Sequence, residues 1–264
     1  MAPAALLHYW FLLPVGIAIA TLVMSAGVSG ATLWVPVYLL WLRLDVALAF
    51  WLGLLTMLFG FGSGVYRNWR DRSYNGALVR GFLVASVPAA LAGGWAAVFV
   101  NQRLLVGGFG LFLLVYAAVF AYFVLSEGGD AERVEDAIGY PIAVIGGLLT
   151  GLISIGIGIL AMPSVLRHRS IRTPGEGIGS LVMIIFFTSL AATLGRLRPA
   201  FVDQLRRDLP ELGAILLWSV PAVVIGGQIG PRLAQLLPSK RHARAYFSVV
   251  LLLVGALTLA RARG

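Results

Sequence analysis

Two short stretches hold the residue types that could do chemistry inside an otherwise apolar chain. They are Gly27-Val-Ser29-Gly30-Ala31-Thr32-Leu-Trp34-Val-Pro36 and Ser154-Ile-Gly156-Ile-Gly158-Ile-Leu-Ala-Met-Pro163. A helix that restarts within hydrocarbon leaves its first N–H groups without intrahelical partners, and its dipole places partial positive charge there. Such an end suits an anion. Glycine lets an oxyanion approach the backbone closely, and hydroxyls add donors. The candidate substrate-binding residues are therefore Gly27, Ser29, Gly30, Thr32, Ser154, Gly156 and Gly158. The competing explanation is that these glycines only let helices pack closely. Repetition of the break at the same distance from Pro36 and Pro163 favours a binding role.

Other chemistries find less support. Gly27-Val-Ser29-Gly30 fits the G-x-S-G of an intramembrane serine protease with Ser29 as nucleophile, but a nucleophile needs a base within reach. The histidines are His8, His168 and His242, all expected at membrane edges or in loops. Asp45 and Glu176 are the acids nearest the apolar interior, and both stand where a second segment begins, so they read as interfacial. That argues against a carboxylate-built cation site or an Asp/Glu proton relay. The absence of cysteine excludes disulfides and thiolate ligands. No metal, cofactor or enzymatic activity is expected.

The elements that must position these residues are apolar helices. Hydrophobic residues make up 59% of the chain and charged ones 12%, far from the balance of a soluble domain. Asp, Glu, Lys and Arg are absent from 1–42, 46–66, 81–102, 104–126, 137–166, 177–195, 212–231 and 245–260. These eight intervals predict an all-α polytopic membrane protein, since a crossing needs about 20 apolar residues. The first and fifth are too long for one straight span, and they contain the two breaks. The opening apolar run reads as a retained first helix rather than a cleaved signal. Trp10, Trp34, Trp41, Trp51, Trp69, Trp95 and Trp218 read mostly as an interfacial belt, with Trp34, just after the first break, a candidate exception that lines the cavity.

The chain also repeats itself. Ser86-Val-Pro88-Ala-Ala-Leu-Ala-Gly93-Gly94 matches Ser219-Val-Pro221-Ala-Val-Val-Ile-Gly226-Gly227 with identical spacing. One transporter domain over 1–264 is expected, with a first repeat at about 9–126, an acidic linker at 127–136 and a second repeat at about 137–261. The first segment of each half is broken or re-entrant, and Pro36, Pro163, Pro88 and Pro221 are candidate hinges or helix breaks. Crossing segments would leave the halves parallel, and re-entrant hairpins would invert them. A parallel count leaves Arg167 to Arg172 and Lys240 to Arg244 outside, and an inverted count leaves Arg196 to Arg207 outside. Inverted halves are the preferred expectation, because discontinuous helices at a repeat interface are the usual build of a secondary transporter.

The net charge of +9 sits in short loops, which fits cytoplasmic loop bias and not nucleic-acid binding. Arg67 and Arg196 are candidates for attracting anions, although an interfacial role is the first expectation for each.

The two Gly-rich elements, each followed by a segment that runs into a basic loop, resemble those of the sulfite exporter TauE/SafE family, also described as the toluenesulfonate uptake permease type. The resemblance extends from about Val15 to Ala260. Ser29 and Ala31 stand in place of family glycines in the first element, as do Ser154 and Ile157 in the second. The resemblance implies a multi-pass carrier in a bacterial-type inner membrane, moving sulfite or organosulfonates such as sulfoacetate. The helix ends alone would suit a carboxylate equally well. The candidate partners are a small anionic substrate, the lipid bilayer and a second copy of the chain.

Overall fold

A computed structural model describes residues 7–26, 30–125, 138–236 and 240–263, and among these there are helices and no strands. Helix α1 (Leu12–Ala26) is followed by α2 (Ala31–Pro36), which runs into a π-helical turn at Val37–Trp41. Then come α3 (Val46–Arg70), α4 (Gly76–Ala96), α5 (Gln102–Leu125), α6 (Tyr140–Ile153), α7 (Gly158–Leu166), α8 (Pro174–Gly195), α9 (Pro199–Leu236) and α10 (Lys240–Arg263). Five of these, α3, α4, α5, α8 and α9, are long and apolar enough to cross a membrane. Large apolar side chains on their outer faces stay uncovered, as at Val84 (72% exposed) and Leu104 (69%). Water would disfavour such faces and lipid accepts them.

The two acids nearest the apolar interior turn out to start helices. Asp45 is the N-cap of α3 and accepts from the Ala47 N–H at 2.9 Å. Thr173 caps α8 by accepting from Glu176 N–H, Pro174 fills the first turn, and the Glu176 carboxylate reaches back to the Arg172 N–H at 2.8 Å. This is close to a capping box. Each acid thus satisfies an orphan helix-end donor.

The two overlong apolar intervals do not run straight through. A Cβ placed on Gly139 would lie 3.5 Å from Ser164 Oγ, and one on Gly146 would lie 2.6 Å from Ile157 Cγ1, so α7 runs back along α6. The first pair behaves likewise. A Cβ on Gly16 would meet Trp34 at 2.7 Å, and Phe11 stacks on Trp41 with centroids 5.2 Å apart. In both intervals the chain enters, breaks and returns.

The repeated Ser-Val-Pro motif packs each third segment onto the opening hairpin of the other part of the chain. In α4, a Cβ on Gly93 would strike the Leu148 carbonyl of α6, and one on Gly94 would lie 2.7 Å from the Ala192 carbonyl of α8. Gly151 of α6 in turn has no room for a Cβ beside Ala90 O and Gly94 N. In α9, a Cβ on Gly226 would lie 2.7 Å from the Ile17 carbonyl of α1. Backbones approach this closely only where side chains are missing, as in small-residue membrane interfaces. The expected breaks at Pro88 and Pro221 do not occur: α4 and α9 continue through both. Ser86, buried about two turns before Gly93, shares a 2.8 Å hydrogen bond with Thr188 of α8.

The paired glycines yield a sharp prediction. Gly226→Ala must push α9 off α1 and should destabilise the protein by roughly 1–3 kcal/mol. Gly227→Ala enters open space and should leave the melting midpoint unchanged or slightly raised, given the helix propensity of alanine. Thermal melting of the detergent-purified variants separates the two.

Candidate functional site

The second break is described in full. Helix α6 ends at Ile153, and Ser154 takes a left-handed conformation with φ of 57°. A left-handed residue stops the helix and exposes its last carbonyls. Donors at the break itself and from another helix meet these carbonyls. Thr150 Oγ1 lies 2.6 Å from the Gly146 carbonyl and 2.7 Å from that of Ile155, and the Ser154 N–H donates to Thr150 O at 3.0 Å. The Ser154 hydroxyl donates to the Phe50 carbonyl of α3 at 2.9 Å.

Arg196 completes the set. Its Nη2 lies 2.7 Å from Gly151 O and 2.8 Å from Leu152 O, and its Nε 3.1 Å from Gly151 O. The guanidinium also sits over the Phe50 ring, 5.6 Å from its centroid. Only 4% of the residue is exposed. Arg196 lies one residue past the end of α8, and burial pushes its pKa down. It remains a cation at neutral pH, because guanidinium gives up its proton only under strongly basic conditions. No described carboxylate pairs with it. The helix dipole of α6 and two carbonyls compensate it only in part, so the second break carries a buried excess of positive charge.

Helix α7 begins on the far side of the same break. Ile157 is its N-cap and supplies no side-chain cap. Among the described residues, no backbone carbonyl accepts from the N–H groups of Gly156, Ile157 or Gly158, and all three residues are buried. A Cβ on Gly158 would collide with the Ile185 side chain. The break therefore joins a capped helix C-terminus to an uncapped N-terminus.

The first break is described from Gly30 onward, and Gly27 and Ser29 lie outside the described residues. Gly30 is the N-cap of α2, with no side-chain cap, and its carbonyl accepts from Leu33 and Trp34 at 3.2 Å. Thr32 is fully buried. Pro36 has no N–H to donate within the helix, and the chain runs into the π turn that follows. Trp34 is 1% exposed and stacks on Tyr38 at 5.4 Å, and the Tyr38 hydroxyl meets Thr56 Oγ1 at 2.8 Å. Trp34 thus departs from the expected interfacial belt. The edge of its indole that carries the unpartnered Nε1 faces Gly30, with Cδ1 3.9 Å from where a Cβ would stand.

Helix α3 touches both breaks within two turns. Its Phe50 carbonyl holds Ser154, its Gly53 makes room for Val35 of α2, and its Thr56 holds Tyr38. Pro163 sits inside α7 without ending it. Arg67 is exposed on the last turn of α3. Two expectations are revised here. The Ser154 hydroxyl is committed to Phe50, and Arg196 is a buried cap instead of an interfacial loop charge. Thr150 and Phe50 belong to the site and carried no signal in the sequence, because their partners lie across a turn or in a distant helix.

An apolar-faced helical chain whose interior holds two broken hairpins is a polytopic membrane transporter by class. The family description Sulfite exporter TauE/SafE matches residues 12–258, and the chain belongs to that family. It is 26% identical over 238 residues to the Probable membrane transporter protein YjnA of Bacillus subtilis (strain 168), covering 82% of this chain and 88% of that one. No solved structure matches the chain. The family makes the protein a membrane transporter rather than an enzyme.

Replacing Arg196 tests the cap. Arg196→Gln strands two buried carbonyls and should cost about 1.5–3 kcal/mol, the range for hydrogen bonds to charged groups. Arg196→Lys, which keeps the charge but not the planar fork, should fall between wild type and Arg196→Gln in thermal melting.

Proposed function

We propose that the protein carries a small oxyanion, sulfite or an organosulfonate such as sulfoacetate, by alternating access between two homologous halves. The observation that carries this reading is the second break. Among the described residues, a buried guanidinium without a carboxylate partner caps the α6 end of the break, and a buried, uncapped helix start whose N–H groups have no backbone acceptor forms the α7 end. An entering anion would supply both missing partners. The N–H groups of Gly156, Ile157 and Gly158 bind its oxygens, Arg196 supplies long-range attraction, and Gly30, Thr32 and the Trp34 indole contribute from the first break. Gly27 and Ser29 complete that first element in the same role.

The reading includes inverted halves, with repeats at about 9–126 and 137–261. Support comes from packing direction. Gly62 of α3 lies beside Phe186 and Gly64 beside Val182 of α8, so these two helices run in opposite senses. Gly110 of α5 lies beside Leu259 and Gly255 of α10 beside Leu113, again in opposite senses. The arginines that an inverted count leaves outside are accounted for locally. Arg196 is a buried cap, Arg198 lies over Trp95 and Phe99 at 4.5 and 4.3 Å, and Arg206 lies 3.6 Å from Asp203. The end bearing Arg67, Arg70, Arg72, Arg80 and Arg167 to Arg172 is then cytoplasmic, in an inner membrane.

Flux into proteoliposomes tests the function. Radiolabelled sulfite should enter down its gradient, sulfoacetate should compete, and acetate should compete poorly. Arg196→Gln should lower sulfite uptake about tenfold, equivalent to roughly 1.4 kcal/mol of lost long-range attraction. Acetate transport with no sulfite transport would favour the carboxylate reading.

A further inference from the structure

The connection between α3 and α4 forms a site that the transport reading does not use. Two adjoining hollows, of about 530 and 490 Å³, share Trp69, Tyr74 and Gly76 as a common wall. The first is bounded by Arg70 and Arg72. The second runs along α3, α4 and α8 over Val65, Val79, Met183 and Phe187, with Arg80 at its edge. One hollow is basic and the next is apolar. Arg70 is matched by the Asp71 carboxylate at 3.2 Å, and Arg80 is held in place by a 3.2 Å bond from its Nε to the Gly76 carbonyl. Three arginines against one aspartate leave the rim cationic.

The loop that carries the rim is built rigidly. Ser73 Oγ donates to Asn68 Oδ1 at 2.8 Å, and Asn68 is 9% exposed. The Asn75 N–H donates to Ser180 Oγ at 2.8 Å, and Asn75 Nδ2 donates to the Ser170 carbonyl at 3.1 Å. Within this frame Arg72 occupies the left-handed region at φ of 51°, just past the C-cap of α3. That position normally takes glycine, and a side chain there costs stability. A cap alone would not call for arginine.

The geometry points to a binding site for one anionic phospholipid, its phosphate headgroup between Arg72 and Arg80 and an acyl chain in the groove toward Met183 and Phe187. A free phosphate would use the basic hollow but leave the apolar one empty, and a zwitterionic lipid would fill the groove but gain little from the rim. Basic pockets between membrane helices recognise anionic headgroups through the same charge complementarity. The Trp69 and Tyr74 rings suit the boundary between headgroup and chain.

Thermal melting of the detergent-purified full chain tests the site. Dioleoylphosphatidylglycerol should raise the midpoint by several degrees, and dioleoylphosphatidylcholine at the same concentration should not. Inorganic phosphate should neither raise it nor block the lipid effect. Arg72→Gly relieves the left-handed backbone, so its midpoint without lipid should hold or rise while the lipid shift is lost. Arg80→Gln should lose most of the shift, and Arg103→Gln, at the start of α5, should keep it. Trp69 fluorescence offers a second readout: brominated phosphatidylglycerol should quench wild type more than Trp69→Phe. The proposal is overturned by equal shifts from both lipids, by no shift from either, by a shift from phosphate alone, or by an undiminished shift in Arg72→Gly.

Discussion

Backbone that leaves a helix inside an apolar fold must find partners for its N–H and C=O groups, and this requirement organises the rest of the protein. At the second break the Thr150, Gly151 and Leu152 carbonyls are met by protein donors. Arg196, Thr150 and Ser154 tie the end of α6 to α8, to itself and to α3. The amide side is left without such partners. That asymmetry gives the break a sign. With its negative end neutralised by a guanidinium and its positive end open, the break presents a net positive potential. Using arginine rather than a hydroxyl for the cap has an electrostatic consequence beyond stability, since a full charge is brought where the carbonyls offer only partial ones.

The same break depends on close helix contact. Arg196 can reach Gly151 only because α4, α6 and α8 approach at a seam of glycines, Gly93, Gly94, Gly151 and Gly195, with no side chains between the backbones. A related contact joins α9 to α1 through Gly226. Helix α4 thereby braces the hairpin of α6 and α7, and α9 braces that of α1 and α2. Tight and nearly side-chain-free seams of this kind have low rotamer entropy to lose and slide or hold as units. This links packing to the alternating-access reading without any flexible hinge at Pro88 or Pro221.

Much of this was legible in the sequence, and the remainder was hidden for physical reasons. The breaks stand out because glycine and serine are out of place in long apolar runs, and both copies of the Ser-Val-Pro motif lie inside helices. Asp45 and Glu176 were placed at segment starts, which is where they cap α3 and α8. The fate of Arg196 was not legible. In sequence it opens a Leu-Arg-Pro loop like any interfacial arginine, and its acceptors lie 45 and 44 residues away. Ser154 was taken as a ligand donor because serine at a break offers a hydroxyl, but its acceptor is 104 residues distant. Trp34 stands out in sequence only by its place after the first break, because aromatic identity does not distinguish an interface from the buried contact with Gly16 and Tyr38. Long-range partners, in each case, decided what local composition left open.

The most direct test of the central claim is a cryo-electron microscopy map of the protein in nanodiscs with saturating sulfite. The account predicts density for an oxyanion within hydrogen-bond distance of the Gly156, Ile157 and Gly158 N–H groups, with Arg196 still on the Gly151 and Leu152 carbonyls. Sulfite bound elsewhere, with the start of α7 packed against side chains that fill its amide end, would contradict it.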